Sequence, residues 1–190
     1  MTSIEAGVVC HFGCLFIWKC GWYDEPETLL KGLRSVKKAL VVLDVQNEFL
    51  GNTLDYIAPL CQRYVNSSAN EYDAIILTHW VYKEAEGKSE LLVSHPSAIT
   101  VEKHGYSGLT AETKAVFDER GIDEVHIAGV DSEGAVLATM FACFDAGYQV
   151  QILERLVASY HGRNWESMTI ARHILGPENV VNIGGDRVYV

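Results

Sequence analysis

Two runs in this chain, Ala39-Leu40-Val41-Val42-Leu43 and Ala74-Ile75-Ile76-Leu77, are apolar without a break and rich in β-branched residues. They are too short for ordinary helices and carry no polar alternation. Runs of this kind are strands buried on both faces, which means a parallel sheet covered by helices. The intervening sequence supplies the helices. Leu54, Ile57, Ala58, Cys61 and Val65 recur at helical spacing after the first run. The remaining pattern repeats the theme: a short strand from Ile99 to Glu102, a helix from Thr110 to Arg120 stopped by Gly121, and a strand from Val125 to Gly129. Next come a helix from Ser132, its cap, to about Ala146, a strand from Tyr148 to Leu153, a helix from Ser167 to Leu175 closed by Gly176-Pro177, and a last strand from Val180 to Ile183. Residues 81–97 are polar and read as a long loop. This alternation predicts an α/β fold, a three-layer α/β/α arrangement around a mainly parallel, doubly wound sheet. Residues 37–190 would form that domain.

Residues 1–36 do not share the alternation. They hold Phe12, Phe16, Trp18, Trp22 and Tyr23, too many aromatics for a solvated tail. We expect an extension packed on the domain, serving as an added structural element, a lid or a subunit contact. The segment Val8–Trp18 is apolar but follows Glu5 rather than a basic stretch, and no small-residue cleavage site follows it, so it does not read as an export signal. No apolar run reaches the ~20 residues that span a bilayer. A cytoplasmic protein is the expectation.

A formal net charge of −10 and the lack of a basic stripe exclude nucleic acid as a partner. Five cysteines (Cys10, Cys14, Cys20, Cys61 and Cys143) show neither CxxC nor zinc-ligand spacing and read as reduced thiols. Cys61 and Cys143 fall in apolar helical stretches, where a thiol acts as a small hydrophobe.

Chemistry concentrates where predicted strands end. Asp44 closes the first strand and is followed by Gln46 and Asn47; Lys103 closes the third; Gly129-Val130-Asp131-Ser132-Glu133-Gly134-Ala135-Val136 turns from a strand into a helix. A doubly wound sheet gathers these points along one edge. A carboxylate ending an apolar strand needs a partner, and a lysine is the natural one. Such a pair can move a proton at a reacting centre, and a helix N-terminus can stabilise an oxyanion. A nucleophile is missing from the set.

The segment Ala39–Phe49, the context Glu102-Lys103-His104-Gly105-Tyr106-Ser107, and Gly129–Thr139 followed by Asp145-Ala146-Gly147-Tyr148 together resemble the isochorismatase-like cysteine hydrolases over roughly residues 37–186. The resemblance implies a hydrolase of small-molecule amides or related C–N bonds, a homo-oligomer, and no cofactor. It makes Asp44 the general base and Lys103 the group that keeps it charged. It puts a cis peptide after Val130, the oxyanion hole at the N–H groups of Asp131 and residue 135, and the nucleophilic cysteine at position 135. Gln46, His79, Trp80, Tyr106 and Val130 would contact substrate. Nicotinamidases of this family bind a metal through Asp-x-His after the second strand; here that place reads Thr78-His79-Trp80, so no metal is expected.

Position 135 is alanine. Three readings stay open: a cysteine replaced to trap substrate, a cysteine-independent vinyl-ether hydrolase that uses a protonated carboxyl, and a non-catalytic ligand-binding or scaffold protein. The intact surroundings of position 135 favour the first. Blander roles compete elsewhere. Gln46 and Asn47 can be loop-stabilising groups, His79, His104 and His161 structural or rim residues, and Trp165 a packing residue.

Overall fold

The structure is a computed structural model that describes residues 35–51, 54–81 and 89–183. The aromatic segment assigned above to residues 1–36 lies, except for its last two residues, outside the described residues. Six strands form one sheet: β1 (Lys38–Leu43), β2 (Ala74–Trp80), β3 (Ala98–Lys103), β4 (Glu124–Val130), β5 (Gln149–Ala158) and β6 (Val180–Val181). Every pairing is parallel and the order is β3-β2-β1-β4-β5-β6. The chain winds outward from β1 in one direction and then from β4 in the other. Their carboxyl ends flank the switch point, where open α/β sheets bind ligands.

Strand alternation assigns the two faces. Leu40, Val42, Ile75, Leu77, Ala128 and Leu153 pack with Ile57, Cys61 and Val65 of α1 (Ile57–Ser68). Ala39, Val41, Leu43, Ile76, Val125, Ile127 and Ile152 pack on the other face with Phe117 of α2 (Ala111–Arg120), Met140 and Cys143 of α3 (Leu137–Asp145), and Met168 and Ala171 of α4 (Asn164–Leu175). The arrangement is the expected three-layer one. Each fully buried Leu, Ile or Val contributes about 1.5–3 kcal/mol, so both faces of the central strands are needed to hold the sheet.

Local signals explain several boundaries. Thr110 caps α2 by accepting the Thr113 N–H, and Gly121 ends it in the left-handed conformation at φ 65°. Gly129 has φ 106°, and a Cβ there would sit 2.1 Å from the Leu43 carbonyl oxygen. Only glycine lets β4 pass β1 this closely.

Four expectations need correction. Ser132 does not cap the helix after β4. It begins a single wide turn, Ser132–Val136, with i→i+5 bonds such as Val136 N–H to Asp131 O, and α3 starts only at Leu137. β5 runs to Ala158 rather than Leu153, because its register against β4 shifts between Ile127 and Gly129 and lets Glu154 and Arg155 interrupt the apolar run. The last strand is only Val180–Val181. Trp165 is 76 % exposed and packs little, since α4 turns that position outward.

One buried polar chain was not anticipated. On β4, His126 Nε2 meets Glu124 Oε1, and its Nδ1 lies 2.9 Å from the Tyr72 hydroxyl, which is 2.7 Å from the Tyr64 hydroxyl. A neutral imidazole fits this chain, with Tyr72 donating to Nδ1 and Nε2–H donating to Glu124. Burial pushes the His126 pKa below its ordinary value, against the pull of Glu124. Unfolding therefore takes up a proton at His126 as the pH falls through ~6.5, so stability is present above that pH and declines on acidification. Replacement by glutamine should lower the proton uptake on unfolding between pH 7 and 5 and flatten the stability slope by up to about 1.4 kcal/mol per pH unit. An unchanged slope in urea titrations across that range would contradict this account.

Candidate active site

Asp44 follows β1 in the left-handed region at φ 50°, a conformation Asp tolerates better than most residues. This turn buries the carboxylate at 2 % exposure. Thr78, the residue paired with Leu43 on β2, fixes it: the Asp44 N–H donates to Thr78 Oγ1, and that hydroxyl donates to Asp44 Oδ1 at 2.6 Å. Lys103, at the end of β3, lies 2.7 Å from Asp44 Oδ2 and is equally buried. Its ammonium also donates to the carbonyls of Gly105 (2.9 Å) and Tyr106 (3.0 Å) and sits 4.1 Å over the Trp80 ring. The ion pair with Asp44 and these two carbonyls hold the ammonium in place. Burial pushes the Asp44 carboxyl up and the Lys103 ammonium down, while their attraction pulls each back. Burial therefore brings the two groups closer in proton affinity.

The Val130–Asp131 peptide bond is cis. Asp131 then leads into the wide turn that carries Ala135, which is 1 % exposed. Thr139 ties this turn to the loop after β3: its hydroxyl donates to the Ala135 carbonyl and accepts the Gly108 N–H, both at 2.7 Å. Gly134 lies against Tyr106, and a Cβ at this position would be 3.2 Å from that ring.

A cavity of ≈ 300 Å³ opens at this edge, lined by Asp44, Glu48, Phe49, Trp80, Tyr106, Val130, Asp131, Tyr160 and His161. Trp80 stands edge-on to Tyr106 with centroids 4.9 Å apart and lies tilted 6.1 Å from Phe49. The Asp131 carboxyl accepts the Tyr160 N–H at 2.9 Å. Burial, together with its hydrogen bond to the Glu133 carboxylate, pushes Asp131 up to about 6.

The cavity lining brings together Asp44, Trp80, Tyr106, Val130 and Asp131, with Lys103 paired to Asp44. Gln46, His79 and Ala135 are not among the described lining residues. Gln46 is fully buried; its Oε1 accepts the Trp80 N–H at 2.7 Å, and its Nε2 donates to the Trp80 carbonyl and to Ser89 Oγ. It braces the end of β2 and so sets the Trp80 ring. His79 is half-buried near Asp44, where its charge would favour the carboxylate. Glu48, Phe49 and Tyr160 line the cavity without having been singled out for it, and His161, expected as a structural or rim residue, lines it too. Their one signal is position, just beyond the carboxyl ends of β1 and β5.

Among the described residues, the thiols are Cys61 and Cys143; both are buried and free, and burial pushes each up to about 12. Neither is a nucleophile near neutral pH. No group of three or more His, Cys, Asp or Glu side chains among the described residues could hold a metal ion. The described residues around His79 do not fit one. No helix among the described residues is long and apolar enough to cross a membrane.

The isochorismatase domain family matches residues 38–174, and the chain belongs to that family. In fold it is similar to an isochorismatase-like hydrolase from Alkaliphilus metalliredigens (TM-score 0.65, 22% identity, covering 74% of this chain and 92% of that one). It is also similar to a nicotinamidase from Bacillus subtilis (0.65, 19%, 74% and 97%) and an N-carbamoylsarcosine amidase from Thermoplasma acidophilum (0.64, 20%, 74% and 94%). No curated protein matches the sequence.

Proposed function

We propose that this chain carries the site of a small-amide hydrolase with the nucleophile position occupied by alanine. The observation that carries this reading is the buried Asp44–Lys103 pair, 2.7 Å apart, beneath an aromatic-walled cavity that also holds Asp131. Two structural neighbours bear amidase names, a nicotinamidase and an N-carbamoylsarcosine amidase, which fits an amide as the ligand class.

With a cysteine at 135, Asp44 would take the thiol proton and the sulfur would attack the amide carbonyl. The N–H groups of Asp131 and residue 135 would face the oxyanion. The C–N bond would break as Asp44 returns its proton to the amine. Water would then cleave the thioester, passing its proton through Asp44 and restoring the thiol. Lys103 keeps Asp44 ionised between steps, and Gln46 holds Trp80 in place. With Ala135 the covalent route is closed, and the chain binds amides without turning them over.

The Ala135→Cys variant should hydrolyse at least one small amide with kcat/KM raised by at least about 10³ over the unaltered chain. A folded variant that releases no amine across a broad amide panel would overturn the proposal. A second reading, cysteine-free cleavage of a vinyl ether, is favoured by the upward-shifted Asp44 carboxyl, since an acid must be protonated to act. Incubating the unaltered chain with isochorismate tests it, with pyruvate release as the readout.

A further inference from the structure

We propose that the cavity selects amides whose far end carries a positive charge, with Glu48 as the specificity-determining residue. This rests on reading the cavity as a small-amide site.

The lining has two chemical characters. Phe49, Trp80, Tyr106 and Tyr160 give flat aromatic walls, and Asp44, Glu48 and Asp131 give carboxyl groups. Among the described lining residues only His161 can carry a positive charge. Lys103 lies against the Trp80 ring, ion-paired with Asp44 and donating to the Gly105 and Tyr106 carbonyls. Among the described lining residues an anion would meet only His161, beside three carboxyl groups, in exchange for its hydration. A methylated ammonium would meet aromatic faces, which attract cations, and a counter-charge.

The three acids are not equivalent. Asp44 is paired with Lys103. Asp131 accepts the Tyr160 N–H and is hydrogen-bonded to Glu133. Glu48 is exposed and accepts one long hydrogen bond, 3.4 Å from Gln46 Nε2. It is the acid that is available to a ligand. It follows β1 by a short loop whose base is held by the Phe49 N–H to Gln46 O bond, so its carboxylate stands at the cavity on a supported turn.

The test compares three amides of similar size by calorimetry on the full, unaltered chain: trimethylammonioacetamide, its uncharged isostere 3,3-dimethylbutanamide, and the anion succinamate. The cation should bind at least about tenfold more tightly than the isostere, and the anion more weakly than either. Glu48→Gln should reduce the cation-to-isostere ratio below about threefold; Glu48→Asp should retain part of the preference. Equal binding of cation and isostere, a preference that survives Glu48→Gln, or no binding of the cation at millimolar concentration would overturn the proposal. Hydrolysis by Ala135→Cys separates the two readings. Turnover of the isostere without charge preference defeats this proposal and leaves the amide reading standing. A Glu48-dependent cation preference with no turnover of any amide does the reverse.

Discussion

Lys103→Met should destabilise the protein by about 3–5 kcal/mol, one of the two largest losses expected from a single side chain here. The methionine keeps most of the apolar stem but removes the cation 2.7 Å from Asp44 Oδ2. Asp44 is left buried at 2 % exposure with Thr78 as its remaining partner. It also frees the carbonyls of Gly105 and Tyr106, so the loop that carries Tyr106 loosens. The loss should depend on pH, with a sign that can be worked out. Burial already raises the Asp44 pKa above its unfolded value, and removing Lys103 raises it further. The folded variant then holds a proton that the unfolded chain releases, so its stability falls as the pH rises above ~4. Denaturant titrations at pH 5 and pH 8 should show the larger deficit at pH 8. The double variant Asp44→Asn, Lys103→Met should recover much of the loss, because no uncompensated charge is left. A loss under ~1 kcal/mol, or no recovery in the double variant, would mean that the two groups are not coupled as described.

The second large effect is at Gly129. A Cβ there would lie 2.1 Å from Leu43 O and 2.5 Å from Leu43 N, both backbone atoms of the neighbouring strand. They cannot retreat without breaking the β1–β4 pairing at the switch point, and φ 106° is strained for any L side chain. Gly129→Ala should cost more than ~4 kcal/mol and leave little folded protein. Gly108 is the control. Its added Cβ would approach Leu43 Cδ2 at 2.5 Å, the end of a side chain that can change rotamer. Gly108→Ala should therefore stay folded with a clearly smaller loss of thermal midpoint. Equal stability of the two variants would contradict the close β1–β4 approach.

Both effects centre on residues the sequence marked, and the reason is physical. β1 and β2 are legible because a strand buried on both faces needs apolar residues at every position, and few other elements do. Asp44 and Lys103 are legible because a charge ending such a strand calls for a partner. The wide turn at Ser132–Val136 was read as a plain helix start, since a one-residue difference in hydrogen-bond register leaves no mark in composition. β5 was cut short at Leu153 because Glu154 and Arg155 fall where its register shifts. That truncation hides Tyr160, which reaches the cavity beside His161 because the strand continues to Ala158. Gln46 shows a different limit. Its type and place suit either a ligand or a loop, and only the geometry reveals both ends of its amide spent on the chain. Trp165 looked like a packing residue because tryptophan usually is one, yet α4 presents it to solvent.

The central claim is that one side chain, Ala135, separates this protein from amide hydrolysis. Intact-protein mass spectrometry of acid-quenched Ala135→Cys, taken within the first turnovers on a panel of small amides, tests it most directly. The account predicts a transient mass gain equal to the substrate's acyl group, mapped to residue 135 and absent from the unaltered chain. A folded Ala135→Cys protein that stays unmodified throughout, with no amine released, would contradict it.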